Sequence, residues 1–352
     1  MRVVVAMSGG VDSSVVAGMM ARAGHEVIGV TLQLYDHGAA VGRKGACCAG
    51  QDIHDAKRVA DRLGIAHYVI DAEARFRGSV IAAFADSYAS GETPVPCIAC
   101  NQHLKFGDLL GMARDLGAEA MATGHYVRRV DGPAGAELHQ AADPARDQSW
   151  FLFATTREQL EFCRFPLGDM VSKAEVRALA AEMGLVVADK PDSQDICFVP
   201  TGTYAGIVEK FRPEALEAGE IVTEDGAVLG LHQGIARYTV GQAKGLGNAA
   251  QRAGEPIAVK RIEPGTRRIV VGPRGVAGRE VRLRDVNWLI DPPAGALRAT
   301  AKLRARDGLH PAAIARDGAG ALVTLDQPAV AAPGQAAVFY DGSRILGGGF
   351  IV

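Results

Sequence analysis

The stretch that most constrains how this chain can fold is a glycine- and serine-rich turn at residues 8–14, Ser-Gly-Gly-Val-Asp-Ser-Ser. Apolar residues 3–7 before it predict a buried strand, and residues 15–23 after it predict a helix that ends at Gly24. A turn of this kind brings backbone N–H groups and a helix N-terminus together, which favours binding of an anion. The serine hydroxyls would add donors, and the Asp12 carboxylate could hold Mg²⁺.

No Gly-Lys-Ser or Gly-Lys-Thr sequence follows the glycines, so the turn is not a Walker A loop. The missing lysine indicates chemistry other than terminal phosphoryl transfer. The alternative interpretation is an ordinary tight turn with a serine cap.

Strands and helices alternate through the first half of the chain. Strands are predicted at residues 26–34, 67–70 and 120–123, and helices at 51–63, 79–90, 103–116 and 172–183. The alternation predicts an α/β fold with a doubly wound parallel sheet, in which ligands bind at the carboxyl ends of the strands. The turn at residues 8–14, Leu32 and Gly124 should therefore lie on one rim. Residues 36–50, 91–101 and 189–200 are predicted to be loops.

After about residue 204 the helical periodicity fades, and short apolar runs alternate with glycine, proline and charged residues. This pattern predicts two small β-rich domains, one of them a barrel. The predicted domains are residues 1–204, 205–275 and 276–352.

The charge and hydropathy of the chain limit the classes of protein to which it can belong. The net charge of the 352 residues is −2, but residues 267–306 hold ten Lys or Arg against three Asp or Glu. This local basic surface fits contact with RNA, or a solvated face. No apolar run reaches membrane-spanning length, and the N-terminus enters a strand without a signal peptide, so we expect a cytoplasmic protein.

Three cysteines fall in predicted polar loops, Cys97 and Cys100 in one and Cys197 in another. Their thiols could bind a metal or an iron–sulfur cluster, two of them could transfer sulfur through a persulfide, or they could be inert. Cys163 lies beside Phe162 and Phe165 and is expected in the core. Cys47 and Cys48 are expected to lie in a mobile loop without chemistry.

Residues 8–13, Ser-Gly-Gly-Val-Asp-Ser, are similar to the pyrophosphate loop of the PP-loop ATPases. Further stretches, in family order over nearly the whole chain, resemble the tRNA-specific 2-thiouridylases of the MnmA type. These are Thr93-Pro94-x-Pro96 with Cys100-Asn101, Ala122-Thr123-Gly124-His125-Tyr126, Asp147-Gln148-Ser149, Asp192-Ser193 with Ile196-Cys197-Phe198, Gly241-Gln242 with Lys244-Gly245-Leu246-Gly247, and Pro333-Gly334-Gln335 with Ala337-Val338-Phe339-Tyr340.

The resemblance implies an enzyme that cleaves ATP to AMP and pyrophosphate. It would adenylate O2 of the wobble uridine in tRNA and then replace that oxygen with sulfur, giving 2-thiouridine. In the family the position of Cys197 carries a persulfide, and that of Cys100 is the partner thiol that can pair with it as a disulfide. The implied partners are tRNAs for lysine, glutamate and glutamine and a persulfide donor such as a cysteine desulfurase or relay protein. We expect a monomer.

Further site residues follow from the same resemblance. It implies nucleotide binding by Ala6, Met7, Ser8, Gly9, Gly10, Val11, Asp12 and Ser13, together with Leu32 and Gly124. It implies tRNA contact by His125, Arg146, Asp147, Gln148, Arg304, Ala305 and Gln335, and contact with the target base by Val95, Pro96 and Cys97.

Three positions depart from the family pattern. Cys97 stands where other members carry Asp, which favours an alternative in which Cys97, Cys100 and Cys197 ligate a [4Fe–4S] cluster. Ala243 stands where many members carry Arg, and the side chain of Ala305 can offer no hydrogen bond. The rival functions are a PP-loop ligase acting on a small molecule, and a non-catalytic RNA-binding or iron–sulfur sensing protein.

Overall fold

A computed structural model describes residues 1–34, 48–192, 196–199, 204–274 and 277–352. The chain divides into two compact units. Unit 1 comprises Met1–Ser79, Cys97–Thr201 and Asp341–Leu346, and unit 2 comprises Val80–Pro96, Gly202–Tyr340 and Gly347–Val352. Within the described residues, no helix is both long and apolar enough to cross a membrane.

The strands of unit 1 form a five-stranded sheet and a hairpin. They are β1 (Arg2–Ala6), β2 (Glu26–Gln33), β3 (Ala66–Asp71), β4 (Ala120–Thr123), β5 (Val127–Gly132), β6 (Gly135–Gln140) and β7 (Cys163–Arg164). The sheet has the order β3-β2-β1-β4-β7, and all its pairings are parallel. Since Ala6 pairs with both Val30 and Thr123, the strands end together at one rim. The predicted α/β class with a parallel sheet is confirmed, whereas the β5–β6 hairpin was not predicted.

The helices in chain order are α1 (Val11–Arg22), α2 (Cys48–Leu63), α3 (Glu73–Phe76), α4 (Ala83–Ala89), α5 (Pro96–Ala99), α6 (Leu110–Asp115), α7 (Arg157–Phe162), α8 (Lys173–Glu182), α9 (Tyr204–Phe211) and α10 (Asn248–Arg252). Two π-helical segments, Arg77–Ala82 and Cys100–Leu109, continue α3 into α4 and α5 into α6. The 3₁₀ turns are Ser149–Leu152, Pro213–Leu216, Ile235–Arg237 and Pro264–Thr266. The core of unit 1 packs strand residues such as Val5 against Val15 of α1, Val59 of α2 and Val176 of α8.

Two loop predictions were wrong in part. Residues 36–50 were predicted to be a loop, but α2 begins at Cys48, and the rest of that stretch lies outside the described residues. Residues 91–101 were predicted to be a loop, but Cys97 and Cys100 lie on a helix that begins at Pro96 and continues through the π-helical segment. Proline is favoured in the first helical turn because its missing N–H has no partner there and its φ suits the helix. The helix predicted at residues 79–90 likewise begins earlier, at Glu73.

Unit 2 holds the β-rich part of the chain. A four-stranded sheet of order β10-β11-β8-β9 contains β8 (Ala218–Thr223), β9 (Val228–Gln233), β10 (Ile257–Glu263) and β11 (Arg268–Pro273). The remaining strands are β12 (Gly278–Trp288), β13 (Leu297–Lys302), β14 (His310–Asp317), β15 (Gly320–Ala329), β16 (Ala336–Asp341) and β17 (Arg344–Ile351). They run β12-β15-β14-β13-β16-β17, and β12 also pairs with β17, which closes a six-stranded barrel. The predicted β-rich C-terminal region is confirmed.

Candidate active site

The glycine-rich turn joins β1 to α1 in a conformation that needs glycine. Gly9 has φ +76°, and a Cβ at this position would collide with the carbonyl group of Asp52. Gly10 is extended and caps α1, so the first N–H groups of a 12-residue helix face the turn. This is the arrangement that binds anions at helix N-termini.

The serines of the turn have different roles. Ser13 Oγ accepts a hydrogen bond from the Ser8 N–H at 3.0 Å, and Ser14 Oγ donates to the Gly10 carbonyl at 2.8 Å. Ser14 is fully buried, so the prediction that its hydroxyl serves an anion was wrong. Ser8 is exposed and is the serine of the turn that a ligand can reach.

The strand ends bring Leu32 and Gly124 to the rim where the turn lies. A Cβ on Gly124 would stand 2.9 Å from the Ser13 nitrogen, so the Gly124 backbone packs against the first turn of α1. Leu32 is half-buried near the end of β2. Their role in nucleotide binding stays a prediction.

Asp12 is engaged by groups that sequence reasoning missed. Lys173, the first residue of α8, places Nζ 2.8 Å from both Asp12 carboxylate oxygens, and the Tyr126 hydroxyl donates to Oδ1 at 2.6 Å. The same ammonium lies 2.8 Å from Oδ1 of Asp192. Burial and the bond to Asp12 raise the pKa of Tyr126. Lys173 stands 161 residues from Asp12, and the only local signal was the Ser172 cap of α8.

The Asp192 carboxylate also forms ion pairs with Arg146, whose Nη1 lies 2.6 Å from Oδ2, and with Arg177, whose Nη2 lies 3.4 Å from Oδ1. Burial opposes its ionisation, but the hydrogen bonds from Lys173 and Arg146 hold the pKa of Asp192 below its ordinary value. Asp192 is therefore an anion that three cations fix in place.

A second lysine supports the turn from behind. Lys190 Nζ donates to the Gly9 carbonyl at 3.0 Å, to Asp52 at 2.7 Å and to Asp55 at 2.6 Å. Its three protons are thus used, and it ties the turn to α2.

The three predicted functional thiols lie in one electrostatic neighbourhood. Cys97 is exposed and Cys100 half-buried, but desolvation of the sulfur atoms raises the pKa of Cys97 to about 11 and also raises that of Cys100. The ammonium of Lys105 opposes both shifts, and Cys197 adds to both. Cys97, Cys100, Cys163 and Cys197 form no disulfide in the structure, and Cys163 is fully buried as predicted. The expected Cys100–Cys197 disulfide is therefore open in this structure.

The metal prediction finds no assembled ligand set. Among the residues described, which include Cys97, Cys100 and Cys197, no three His, Cys, Asp or Glu side chains are grouped to hold a metal ion. Cys47 lies outside the described residues, whereas Cys48 is the first residue of α2, so its placement in a mobile loop was wrong.

His125 connects the turn to the thiols. It follows Gly124, its Nδ1 lies 2.8 Å from Thr123 Oγ1, and its Nε2 lies 3.4 Å from Lys105 Nζ. Burial, with Lys105 nearby, keeps the pKa of His125 well below its ordinary value, so the ring is neutral. Because an ammonium can only donate, Nε2 is the acceptor and Nδ1 carries the proton.

The predicted tRNA contacts of unit 1 are bonded to the protein itself. Arg146 pairs with Asp192. Asp147 accepts from the N–H groups of Ala141 and Ser149, and Gln148 Oε1 accepts from the Tyr126 N–H at 2.9 Å. All three predicted residues are half-buried, and contact with tRNA stays a prediction.

In unit 2, Gln335 Nε2 donates to the Thr93 carbonyl at 2.8 Å, two residues before Val95. Arg304 is exposed, and Ala305 beside it is half-buried. Arg304 lines a cleft of about 450 Å³ whose other basic residues are Lys260, Arg274 and Arg282. Three of these four cations, all except Lys260, belong to the basic surface predicted at residues 267–306. Contact of this surface with RNA stays a prediction. Contact of Val95 and Pro96 with the target base also stays a prediction.

Three family models match successive parts of the chain. A model described as the tRNA methyl transferase HUP domain matches residues 1–201. The tRNA methyl transferase PRC-barrel domain matches residues 206–273, and the aminomethyltransferase beta-barrel domain matches residues 278–351.

Relatives match over full length. The chain is 74% identical over 352 residues to a protein of Acidiphilium cryptum named tRNA-specific 2-thiouridylase MnmA, covering all of both chains. It is 65% identical to a protein of that name from Gluconobacter oxydans, over 100% of this chain and 99% of the relative. A third, from Paracoccus denitrificans, is 61% identical over 99% of this chain and 91% of the relative.

Proposed function

Since this chain belongs to the tRNA-specific 2-thiouridylase family, we propose that it catalyses the ATP-dependent 2-thiolation of the wobble uridine in tRNA. One observation carries the proposal. A continuous series of contacts in unit 1 runs from the anion-binding turn to the thiols: Gly124 packs on Ser13, His125 follows it, and His125 meets Lys105 on the helix that holds Cys100. A nucleotide site and a sulfur site in such proximity suit a reaction that activates an oxygen and then replaces it.

The first step activates the uracil. The turn at residues 8–14 binds the triphosphate, O2 attacks the α-phosphorus, and the bond to the β-phosphate oxygen breaks to release pyrophosphate. Backbone N–H groups and the α1 N-terminus stabilise the charge of that leaving group. The oxygens of Asp12 are ligands of the type that Mg²⁺ prefers, and a bound Mg²⁺ would neutralise phosphate charge.

The second step transfers sulfur. A donor such as a cysteine desulfurase or relay protein loads Cys197 with a persulfide. The Cys100 thiolate attacks the Cys197 sulfur, the S–S bond breaks, and the terminal sulfur leaves with the electron pair. That sulfur attacks C2 of the uracil, AMP departs with the original oxygen, and Cys100 and Cys197 remain as a disulfide for an external thiol to reduce.

The alternative, a [4Fe–4S] cluster on Cys97, Cys100 and Cys197, has less support. The described residues hold no grouped set of three such ligands, so the donor set does not fit a cluster in this arrangement. We therefore derive no step through a cluster.

The same assignment extends to organisation and partners. We propose domains at residues 1–204, 205–275 and 276–352, which the ranges of the three matching family models support. We further propose a cytoplasmic monomer that acts on tRNAs for lysine, glutamate and glutamine. Recognition of a single-stranded anticodon base suits a protein, because its edges are open to contact.

The proposal is tested by turnover. The protein is incubated with ATP, a persulfide donor and tRNA, and the digested tRNA is analysed for 2-thiouridine by mass spectrometry. We expect 2-thiouridine that depends on ATP, with one AMP formed for each sulfur transferred. If folded protein and an active sulfur donor give no thiolated nucleoside, the proposed thiolation is contradicted. AMP formation with a small-molecule acceptor would favour a PP-loop ligase that acts on a small molecule.

A further inference from the structure

We propose that Lys173 is a catalytic residue that binds the pyrophosphate portion of ATP, and so supplies the cation that the glycine-rich turn lacks. This inference rests on the proposed function only in taking ATP as the ligand. The turn at residues 8–14 contains no Lys or Arg, yet it must hold a group with several negative charges. Lys173 reaches the turn directly through both oxygens of Asp12.

Lys173 reaches the turn through the end of its side chain. It is the first residue of α8, and its ammonium contacts Asp12, which lies in the first turn of α1. The N-terminus of α1 is equivalent to roughly half a positive charge. The Lys173 ammonium and the N-terminus of α1 thus lie beside the turn where the phosphates would bind.

The ammonium is held in a way that permits exchange of partners. The Lys173 side chain is only 11% exposed, and its ammonium contacts the carboxylates of Asp12 and Asp192. Because these contacts involve side chains and not the backbone of the turn, the ammonium can leave them without disturbing the turn. If Lys173 moves to a phosphate, Asp192 keeps Arg146 and Arg177, and Asp12 keeps the Tyr126 hydroxyl. Breaking a buried ion pair usually destabilises a protein because one charge is left without a partner. Here both carboxylates keep a partner, so that cost does not arise.

Lys190 provides the contrast. Its three donors are taken by the Gly9 carbonyl, Asp52 and Asp55, so moving it would release the backbone of the turn itself. Lys190 is therefore a positioning residue, and Lys173 is the lysine that a ligand can recruit.

The test is equilibrium binding without tRNA or a sulfur donor. Affinities for AMP, and for an ATP analogue with a methylene bridge between the α- and β-phosphates, are measured with Mg²⁺ present. We expect Lys173→Gln to weaken the analogue about 10- to 100-fold, the range for a hydrogen bond to a charged group, and to change AMP affinity less than threefold. Lys173→Arg should retain the analogue within about fivefold. Lys57→Gln, on the exposed face of α2, controls for loss of one positive charge.

An analogue affinity within threefold of wild type in Lys173→Gln would overturn the proposal, as would equal losses for the analogue and AMP. A loss in Lys173→Arg as large as that in Lys173→Gln would also overturn it, and this variant decides if the glutamine variant does not fold. Because neither tRNA nor sulfur is present, this result is independent of thiolation. An enzyme that shows the expected binding but makes no 2-thiouridine would contradict the proposed function alone.

Discussion

At the scale of single residues, the ionisation of Cys100 is governed by two opposing effects, burial and a neighbouring positive charge. Cys100 is shielded from solvent, which disfavours its thiolate, and Lys105 offsets part of that cost. The neutral His125 accepts from Lys105 and so holds its ammonium in place. The ionisation of Cys100 therefore depends on a lysine five positions further along the same helix.

The first prediction concerns the pH dependence of this thiol. Since its pKa is raised, the alkylation rate of Cys100 should still be rising above about pH 9.5, where an ordinary thiol with a pKa of about 8.5 is already mostly thiolate. Lys105→Gln should move the profile to higher pH, because the opposing charge is removed. The measurement is iodoacetamide labelling against pH in a Cys97→Ser, Cys197→Ser background, with Lys57→Gln as control. An unshifted profile in Lys105→Gln would show that Lys105 does not influence the thiol.

A second residue-scale prediction concerns Gly9. Replacement by Ala forces a side chain into a left-handed conformation, which costs about 1–2 kcal/mol, and drives its Cβ into the Asp52 carbonyl. We expect Gly9→Ala to lose at least that much stability in urea unfolding, and to lose nucleotide binding. Gly78→Ala is the matched control, since a Cβ there meets nothing within 4 Å. Equal stability in both variants would contradict the described turn.

At the scale of elements, Lys190 joins the glycine-rich turn to α2. Burial opposes the charges, but the mutual hydrogen bonds lower the pKa of Asp55 and raise that of Lys190. A carboxylate with a lowered pKa stabilises the fold above its unfolded pKa and loses that contribution as pH falls through the folded value. A lysine with a raised pKa contributes below its unfolded pKa and loses that contribution as pH rises through the folded value.

The third prediction follows from these signs. Lys190→Met should destabilise unit 1 by about 1.5–3 kcal/mol, the range for hydrogen bonds to charged groups. The difference from wild type should be constant between about pH 5 and 9.5 and should shrink at both ends. Urea unfolding across pH measures it, and a difference that grew toward acid would contradict the ion-pair account.

A fourth prediction concerns the segment before Cys97. In unit 2, Gln335 holds the Thr93 carbonyl, and Arg284 holds both oxygens of Glu92 at 2.8 Å. Removing the amide in Gln335→Ala should accelerate hydrogen exchange at residues 92–95 by about tenfold, the value of one hydrogen bond. Unchanged exchange would mean that Gln335 does not position this segment and is free for tRNA.

At the scale of the whole molecule, the local sequence pattern predicted features that depend on neighbouring residues in the chain. The strands at residues 3–7, 26–34 and 120–123, the turn between β1 and α1 and the buried Cys163 all follow from hydrophobic runs and glycine spacing. Lys173 and Lys190 did not, because a lone lysine at a helix start or in a loop carries no sign of a partner more than a hundred residues away. Cys97 and Cys100 were assigned to a loop because two nearby prolines outweighed the helical pattern that begins at Pro96.

We expect unit 1 to couple ATP activation to the transfer of sulfur carried on Cys197, and a single-turnover assay measures that coupling. Protein loaded with one persulfide is mixed with ATP and tRNA, and 2-thiouridine and AMP are counted. We predict one of each per persulfide in wild type and in the control Cys163→Ser. We predict none of the thiolated nucleoside in Cys197→Ser or Cys100→Ser, while ATP binding persists. Undiminished 2-thiouridine in Cys197→Ser, or none in wild type, would rule out this coupling through Cys197.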